Sequence, residues 1–413
     1  MAIEIQKCRL CGSTNLIPIL DLGIQYLTGV FPRRESRTDL SKGPLELVLC
    51  SGGKSCGLVQ LKHSFPANQM YGENYGYRSG LNPSMVNHLE DTVRRVTRHV
   101  DLRDGDTVID IGSNDGTTLG FFRQSLNLIG IDPSSAKFAK YYRHDITRLP
   151  EFFSAHAVSK HLNGDGAKLI LSIAMMYDLE DPLDFALQVA QCLAPDGVWL
   201  FEQSYLPTMV ENLAYDTVCH EHIEYYSMAQ LFWIVREAGL KIIDVNFNSS
   251  NGGSIAITAA LNNSSAHSEY DGVADILREE QSSGFRDQRV YDRFADRVSK
   301  NKIDIQNYLS DFRKSGLNVA GLGASTKGNV LLQYLGLNEG DISVIGDINP
   351  DKDGCVTPGT WIPIVSESEC LRRNPDILFV LPWHFRDFFE GAKHLSEFSL
   401  FFPLPNPQVI MRR

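Results

Sequence analysis

The sequence lacks any apolar run that approaches the roughly 18 residues needed to span a bilayer, and no apolar segment follows Met1. It also has no excess of basic residues, since 39 Lys and Arg stand against 50 Asp and Glu, for a formal net charge of −11 at pH 7. A chain without a basic stripe cannot neutralise many phosphates, so nucleic acid is not expected as its main partner. We therefore expect a cytoplasmic protein that binds neither membranes nor nucleic acid.

Cysteine is too sparse for a disulfide framework, because only eight cysteines occur in 413 residues. Four of them lie in the first 56 residues, where Cys8 and Cys11 form a CxxC pair and Cys50 and Cys56 form a second, wider pair. Two thiolate pairs brought together by a small β structure are typical of tetrahedral zinc, and four protein ligands leave no open position for catalysis. The pattern predicts a structural zinc, with free buried thiols as the alternative.

A chain of 413 residues predicts two or three domains, and a glycine-rich stretch organises the central one. Residues 107–118 read TVIDIGSNDGTT, an apolar β-type run that breaks into a turn and opens a helix. Gly112 and Gly116 allow the close backbone approach that a bound cofactor requires. The next apolar run, 128–131, ends in Asp132 and Pro133, where a carboxylate accepts ribose hydroxyls in nucleotide-binding βαβ units.

The charge of this loop favours S-adenosylmethionine over a dinucleotide. Asp115 would repel a pyrophosphate, whereas it suits the ammonium and hydroxyl groups of a sulfonium cofactor that has no phosphate. A dehydrogenase loop and a purely structural βα turn remain as alternatives. The preceding segment, 71–80, is rich in Tyr and Gly and could line the ligand or form a surface linker. The candidate cofactor-binding residues are Tyr75, Ser79, Asp110, Gly112, Asn114, Asp115, Gly116, Asp132 and Pro133.

The alternation of strands and helices continues after Asp132, which predicts a doubly wound parallel sheet. Tyr177 follows the apolar run 168–172, so it is expected at the carboxyl edge of the sheet, where ligands bind. Two further runs, 242–245 and 254–257, flank a glycine-containing turn and predict an antiparallel pair. Methyltransferases close their parallel sheet with such a hairpin and ordinary dehydrogenase folds do not. The hairpin therefore strengthens the prediction of S-adenosylmethionine.

Residues 215–227 form the stretch richest in titratable groups, and they include His220, Glu221 and His222. A general base needs one imidazole or carboxylate near the reacting carbon, with a pKa tuned by its neighbours. A metal site built on the two histidines and an acid, and a solvated polar segment, remain as alternatives. On an extended chain, the two histidines would share one face, opposite Glu221.

The C-terminal part begins with a polar, helical bridge at 264–315 and then repeats the pattern of a strand followed by a glycine-rich turn. This second turn, at 317–329, places Lys327 and two hydroxyl side chains near a helix start, which favours an anion such as a phosphate. We expect a smaller α/β domain here. The alternative is a degenerate cofactor domain that serves only as a scaffold.

Together, several motifs resemble the sugar C-methyltransferase family: the paired cysteines, DIGSNDGT, YDTVCHEHIEYYS, NGGS, and the run from GLGASTKGN to DINPDKDG. Those enzymes methylate carbon 3 of a nucleotide-linked 4-keto-6-deoxy sugar on the way to branched sugars. The resemblance implies an α/β protein of three domains. They are a zinc-binding domain at 1–68, a doubly wound S-adenosylmethionine-dependent methyltransferase domain at 69–263, and a Rossmann-like domain at 264–413 that binds the nucleotide sugar.

The resemblance also implies a mechanism in which the ketone at carbon 4 acidifies the proton on carbon 3. His222 is then the base, Glu221 assists it, and the enolate attacks the sulfonium methyl. Cys219 stands where some members of the family carry a tyrosine, and Tyr177 lies near the place of a histidine. The candidate catalytic residues are His222, Glu221, His220 and Tyr177. The candidate substrate-binding residues are Tyr77, Tyr225, Lys327, Asn329, Trp383 and His384.

Two other functions fit the same sequence. One is an O-methyltransferase acting on a sugar or small metabolite, which would place a base beside a hydroxyl. The other is a non-catalytic zinc protein that binds a nucleotide sugar for a partner enzyme, although the acids at Asp110 and Asp132 argue against it. We expect a small nucleotide sugar carrying dTDP or GDP as the binding partner. A monomer is compatible with the sequence.

Overall fold

The computed structural model describes residues 2–35, 40–66, 70, 77–164 and 166–412. Its strands, in chain order, are β1 Ile3–Glu4, β2 Leu16–Tyr26, β3 Lys42–Cys50, β4 Val59–Leu61, β5 His63–Ser64, β6 Thr107–Ile111, β7 Asn127–Ile131, β8 Ile146–Leu149, β9 Ala167–Ile173, β10 Leu193–Ser204, β11 Glu224–Tyr225, β12 Leu240–Asn248, β13 Ser254–Leu261, β14 Val319–Leu322, β15 Ile345–Asp347, β16 Ile364–Ser366, β17 Ile377–Val380, β18 Ser399–Phe402 and β19 Gln408–Ile410. Its α-helices are α1 Pro83–Val96, α2 Thr117–Gly120, α3 Ala155–Ser159, α4 Pro182–Cys192, α5 Leu206–Glu211, α6 Met228–Glu237, α7 Val273–Ser283, α8 Gln288–Lys314, α9 Thr326–Leu335, α10 Glu367–Arg372 and α11 Arg386–Gly391.

The central sheet has seven strands in the order β12-β13-β10-β9-β6-β7-β8. Strands β6 to β10 run parallel, and β13 is antiparallel to both of its neighbours. Every residue of β6 is buried, as expected for a strand covered on both faces. The predicted doubly wound sheet with its antiparallel pair is thus confirmed.

The N-terminal sheet is antiparallel, with the order β11-β4-β3-β2. Its fourth strand, β11, comes from the segment around the two histidines, more than 160 positions after β4. Glu224 and Tyr225 pair with Gln60 and Val59. The N-terminal sheet is therefore completed by a piece of chain that the sequence had assigned to the central domain.

The C-terminal sheet has six strands in the order β16-β15-β14-β17-β18-β19, all parallel except β19 at its edge. Helix α8 leads into this sheet, as the polar bridge in the sequence predicted. One apolar core runs from the N-terminal sheet at Leu47, through α8 at Val298, to the C-terminal sheet at Phe379. The predicted α/β fold class is confirmed, with a small antiparallel N-terminal part followed by two largely parallel sheets.

Ser84 is a suitable residue type to cap helix α1, but Asn82 takes that position. The side chain of Asn82 accepts the backbone N–H of Ser84 at 2.9 Å, and Pro83 occupies the first helical position. Asn is as good a cap as Ser, and proline suits the first turn because its missing N–H would be unpaired there anyway. No helix among the described residues combines the length and the apolar character that a membrane crossing needs.

Candidate active site

The four N-terminal cysteines meet in one cluster. Their Sγ atoms all lie within 4.8 Å of one another, with 3.6 Å between Cys8 and Cys56 and 3.5 Å between Cys11 and Cys50. Tetrahedral zinc with bonds of about 2.3 Å holds its sulfurs about 3.8 Å apart, so the cluster fits this metal. Gln60 also donates an N–H to the Cys8 sulfur at 3.1 Å, a contact that stabilises a thiolate.

The cofactor loop after β6 has the left-handed backbone that its sequence predicts. Gly112 has a φ of +77°, and a Cβ added there would lie 3.1 Å from the Met175 side chain. Asn114 also has a positive φ, 48°, which asparagine tolerates better than most residues. Gly116, again with a φ of +77°, begins α2. The loop therefore keeps its backbone close to the carboxyl edge of the sheet.

Asp132 lies at the end of β7, where the sequence placed the ribose acceptor. One of its carboxylate oxygens accepts the backbone N–H of Asn114 at 2.9 Å, and the other accepts that of Ser134 at 2.6 Å. Pro133 follows it in the first position of a short 3₁₀ turn. Each carboxylate oxygen can accept a second hydrogen bond, so Asp132 can hold the loop and still receive ribose hydroxyls.

Asp115 and Asn114 connect the cofactor loop to the segment before α1. The Asp115 carboxylate accepts the backbone N–H of Gly80 at 3.0 Å and the hydroxyl of Thr117 at 2.6 Å. The Asn114 side chain accepts the N–H of Ser79 at 2.9 Å and donates to the carbonyl of Tyr77 at 3.3 Å. These contacts fold residues 77–80 over the loop. Tyr75, also predicted to bind the cofactor, lies outside the described residues.

Asp110 is buried within β6, with 2% of its surface exposed. Burial raises its pKa to about 8, and the charge of Asp132 adds to the shift. A carboxyl in this environment is protonated at neutral pH. Burial therefore favours the neutral form of Asp110 beneath the loop.

The predicted pair of histidines is separated by a bend at 220–221. His220 is fully buried in the N-terminal sheet, where its ring meets Phe65 edge-on at 4.6 Å and its Nε2 lies 3.3 Å from the Gly43 carbonyl oxygen. His222 instead packs against the ring of Tyr177, with 4.2 Å between ring centroids. The expectation that both side chains share one face is wrong, because the bend interrupts the extended backbone.

His222 is partly buried, and its ring orientation is fixed by the backbone. Its Nδ1 lies 3.0 Å from the carbonyl oxygen of Thr217. Burial and, to a smaller extent, the charge of Lys327 lower the pKa of His222 to about 3. The imidazole is therefore neutral at pH 7. A carbonyl oxygen can only accept, so Nδ1 carries the proton and Nε2 keeps its lone pair.

Glu221 and Tyr225 hold the segment from two sides. The Glu221 carboxylate is buried against the N-terminal lobe, where one of its oxygens lies 3.5 Å from the Thr28 hydroxyl. A Cβ added to Gly29 would lie 2.0 Å from the other carboxylate oxygen. Burial raises the pKa of Glu221. The Tyr225 hydroxyl donates to the His222 carbonyl at 2.9 Å. Tyr225 therefore supports the backbone of His222. Tyr77 is the more exposed of the two tyrosines predicted to bind substrate, with 45% of its surface exposed.

Lys327 and Asn329, at the start of α9, reach the other two parts of the molecule. The Lys327 ammonium donates to the Asn251 carbonyl at 2.6 Å, in the turn between β12 and β13. The Asn329 amide donates to the Thr28 carbonyl at 2.7 Å, in the N-terminal lobe. The glycine-rich turn of the C-terminal sheet thus lies at the junction of all three parts.

Trp383 and His384 follow β17 and face the same junction. The Trp383 indole N–H donates to the Asp216 carboxylate at 2.7 Å. Burial raises the pKa of Asp216 to about 6, against the charge of Lys327, which lowers it. Burial and the Lys327 charge hold the pKa of His384 well below its ordinary value. The structure brings His222, Tyr177, Lys327, Trp383 and His384 to one region and leaves His220 outside it.

Sequence reasoning missed the structural importance of Asp216 and Thr217. Both are buried in a 3₁₀ turn, Tyr215–Thr217, which supplies the acceptor for Trp383 and the carbonyl for His222. The available signal for Asp216 was that it is one of three acids in residues 215–227, the stretch richest in titratable groups. The carbonyl of Thr217 gave no signal, because every residue has one.

Three family models match consecutive parts of the chain. Residues 8–71 match a model described as "Putative zinc binding domain", residues 86–245 match "Methyltransferase domain", and residues 249–402 match "C-methyltransferase C-terminal domain". Their order is that of the predicted zinc, cofactor and C-terminal parts.

Individual relatives agree with these matches. The chain is 30% identical to C-methyltransferase NovU of Streptomyces niveus over 412 residues, which is 98% of this chain and 97% of that protein. It is 28% identical over 156 residues to tRNA U34 carboxymethyltransferase of Azotobacter vinelandii, covering 36% of this chain and 46% of that one.

Among solved structures, 1,6-didemethyltoxoflavin-N1-methyltransferase of Burkholderia thailandensis aligns with a TM-score of 0.31 and 14% identity, over 42% of this chain and 76% of that one. The near full-length match to NovU and the three family models decide the assignment. The chain belongs to the sugar C-methyltransferase family and is an S-adenosylmethionine-dependent C-methyltransferase.

Proposed function

We propose that the protein methylates carbon 3 of a nucleotide-linked 4-keto-6-deoxy hexose through an enolate that His222 generates. The observation that carries the proposal is the tautomer of His222, whose Nδ1 is held 3.0 Å from the Thr217 carbonyl oxygen. This contact leaves the Nε2 lone pair as a base. A neutral imidazole suits the removal of a C–H proton that a neighbouring ketone has acidified.

The proposed reaction begins when His222 Nε2 takes the proton from carbon 3. The electron pair of that C–H bond forms the double bond between carbons 3 and 4, and the carbonyl π pair moves to oxygen. With S-adenosylmethionine bound above Gly112, the C3–C4 double-bond pair would form the bond from carbon 3 to the sulfonium methyl group. Sulfur would keep the pair of the broken S–CH3 bond, and the carbonyl at carbon 4 would re-form. Imidazolium then returns its proton to solvent. We propose that Glu221 assists by fixing the bend beside the base, and that His220 is structural.

The residues proposed to hold the methyl donor share one edge of the central sheet. Asp132 would accept the ribose hydroxyls, and the backbone of the loop would line the rest of the cofactor. Asp115 is proposed near the amino-acid end, although both its oxygens already accept bonds from the protein. The proposed set is Ser79, Asp110, Gly112, Asn114, Asp115, Gly116, Asp132 and Pro133, together with Tyr75.

For the sugar nucleotide, we propose the junction around the start of α9. A helix start with exposed N–H groups favours a diphosphate, and aromatic side chains suit a base or sugar ring. The residues proposed here are Tyr77, Tyr225, Lys327, Asn329, Trp383 and His384. The nucleotide can be identified by thermal shift with dTDP, GDP, UDP and CDP in the presence of S-adenosylhomocysteine, because a bound ligand raises the melting temperature.

The test of the base is exchange at carbon 3. The dTDP- and GDP-linked 4-keto-6-deoxy hexoses are incubated in deuterium oxide with enzyme and S-adenosylhomocysteine, so that no methyl transfer can occur. The wild type should incorporate deuterium at carbon 3, which an O-methyltransferase would not do. The variant His222→Asn should lose both exchange and methyl transfer and keep the affinity for both ligands within about 1 kcal/mol, because the lost interaction belongs to the transition state.

Neighbouring variants show which residue is the base. Exchange that persists in His222→Asn, but is lost in Glu221→Gln or His220→Asn, would move the role to that neighbour and leave the reaction type unchanged. Absence of exchange in the wild type with both sugars would contradict the enolate mechanism itself.

A further inference from the structure

Lys327 has a position that phosphate binding alone does not explain. Its ammonium is half-buried and uses one N–H on the Asn251 carbonyl at 2.6 Å, so two N–H groups remain for a ligand. Its positive charge acts on His222 and on His384, and it lowers the pKa of both. Lys327, at the start of α9, is therefore also within electrostatic range of the proposed base.

The surroundings of Lys327 are built from three turns that contact one another. A Cβ added to Gly252 would lie 3.6 Å from the Trp383 ring. Gly252 follows Asn251, whose carbonyl accepts the hydrogen bond from Lys327. The Trp383 indole N–H binds Asp216, and the carbonyl of the following residue, Thr217, orients the base. The ammonium and the imidazole thus belong to one continuous set of contacts.

This set of contacts contains polar atoms that the protein does not satisfy. Oδ1 of Asp216, Nδ1 of His384 and Oδ1 of Asn329 are buried and have no hydrogen-bond partner among the described residues. Buried polar atoms are normally paired, by the protein, by water or by a ligand. Three such atoms around one ammonium fit a polar ligand, such as a sugar ring with its carbonyl and hydroxyl groups.

We propose that Lys327 is a catalytic residue that donates a hydrogen bond to the substrate carbonyl oxygen and stabilises the negative charge that forms there. The inference rests on the enolate mechanism proposed above. As the carbon 3 proton moves to His222 Nε2, the C–H pair becomes the C3–C4 double bond and the carbonyl π pair becomes an oxygen lone pair. Lys327 keeps its own proton throughout, so the step is balanced without another reactant.

The electrostatics of the pair favour the transition state over the resting state. In the resting enzyme, the ammonium opposes protonation of His222, which makes the imidazole a weak base. When the enolate forms, its negative oxygen is added beside the two cations and offsets their repulsion. An interaction that improves only as the reaction proceeds increases the rate rather than the ground-state affinity.

Asp216 acts as a positioning residue for Lys327. It is fully buried, and its charge favours the ammonium form of Lys327 against burial, which lowers the lysine pKa. The hydrogen bond from Trp383 keeps the carboxylate on this side of the turn. Asp216 therefore helps Lys327 to keep its positive charge at the junction, even though the site is largely closed to water.

The experiment compares exchange at carbon 3 in three variants, with the same sugars and S-adenosylhomocysteine as above. Lys327→Gln retains an N–H for the Asn251 carbonyl and removes the charge, so its exchange rate should fall by about 10²–10³-fold, as for the loss of one oxyanion donor. Lys327→Arg retains the charge and should keep more exchange than Lys327→Gln. Lys352→Gln is the matched control, since Lys352 is a half-buried lysine that donates to Ala324 at 2.6 Å and contacts Phe31, outside this set of contacts.

The outcomes separate three explanations. Exchange at the wild-type rate in Lys327→Gln, with weaker binding of dTDP or GDP alone, would overturn the proposal and assign Lys327 to the diphosphate. An equal loss in Lys352→Gln and Lys327→Gln would show a structural effect and also overturn it. Wild-type enzyme that exchanges with neither sugar would refute the proposed function itself, whereas a selective loss in Lys327→Gln supports the proposal.

Discussion

Burial decides the protonation state of both His220 and His222, the two histidines of residues 215–227, and so decides the chemical role that each can have. His222 is neutral with one nitrogen tied to a carbonyl, which leaves one nitrogen as a base. His220 is also neutral, because burial lowers its pKa to about 4. Its ring contacts Phe65 and the Gly43 carbonyl in the N-terminal lobe. The two side chains have the same chemistry in the sequence and different uses in the structure.

A first prediction concerns stability as a function of pH. The unfolded chain protonates His220 near pH 6.5, whereas the folded protein does so only near pH 4, so stability falls as the pH decreases through this window. The wild type should lose about 2 to 3 kcal/mol more than His220→Gln between pH 7 and 4.5. Urea unfolding at both pH values measures this difference. His156→Gln, at an exposed position, should lose as much as the wild type, and equal losses in all three proteins would contradict the assignment.

A second prediction concerns the ribose acceptor. Asp132→Ala should weaken binding of S-adenosylhomocysteine by about 1–3 kcal/mol, the cost of leaving hydroxyls without a charged acceptor. Titration calorimetry measures this affinity. Asp196→Ala removes an exposed carboxylate that pairs with Lys168 and should bind like the wild type. An unchanged affinity in Asp132→Ala would place the cofactor elsewhere.

The sequence predicted single residues best where a local backbone pattern demanded them. Gly112, Asn114 and Gly116 were recognised because a tight βα turn needs positive φ values. Asp216 was not, since its partners Trp383 and Lys327 lie more than 100 positions away. A buried charge becomes important through its neighbours, and a sequence pattern does not identify distant neighbours.

At the scale of elements, β11 links the zinc lobe to the segment that carries His222. It is only two residues long and pairs with β4, beside the cysteine cluster. Gln60, in β4, contacts the Cys8 sulfur and is the register partner of Glu224. The metal and His222 are thus connected through one strand.

A third prediction follows for the metal. Cys50→Ser should reduce zinc to well below one per chain and lower the melting temperature, because metal binding is part of the folding free energy of such a lobe. Elemental analysis and thermal unfolding measure the two effects. Cys192→Ser changes a buried thiol outside the cluster and should keep its zinc. Full zinc content and stability in Cys50→Ser would rule out the four-cysteine site.

Elements with a long periodic pattern were predictable, and short ones were not. Helix α8 and the β12–β13 pair followed from apolar spacing. Strand β11 could not be found, since two residues carry no periodicity and the strand exists only because β4 offers a partner.

At the scale of the whole molecule, the three parts meet at Thr28, Glu221 and Asn329. The Thr28 carbonyl accepts the Asn329 amide, and its hydroxyl lies near the Glu221 carboxylate. The order of the three parts was predictable from motifs along the chain. This junction was not, since it depends on how finished domains pack against one another.

A fourth prediction tests the junction. Asn329→Ala leaves the buried Thr28 carbonyl without its donor and should lower the free energy of unfolding by about 1–3 kcal/mol. It should leave zinc content unchanged. Asn338→Ala, at a turn of the C-terminal domain far from Thr28, is the control and should change stability less. A variant as stable as the wild type would show that the junction contributes little to folding.

The pairing of β11 with β4 also bears on how the protein is made. During synthesis, β4 emerges roughly 160 residues before its partner, an interval of about 8 to 30 seconds at ordinary translation rates. Throughout that time, the N-terminal sheet exposes an unpaired edge, which is a site for aggregation. The ribosome therefore delivers the segment of His222 and the protecting strand together, and a chain that stops before residue 224 leaves that edge open.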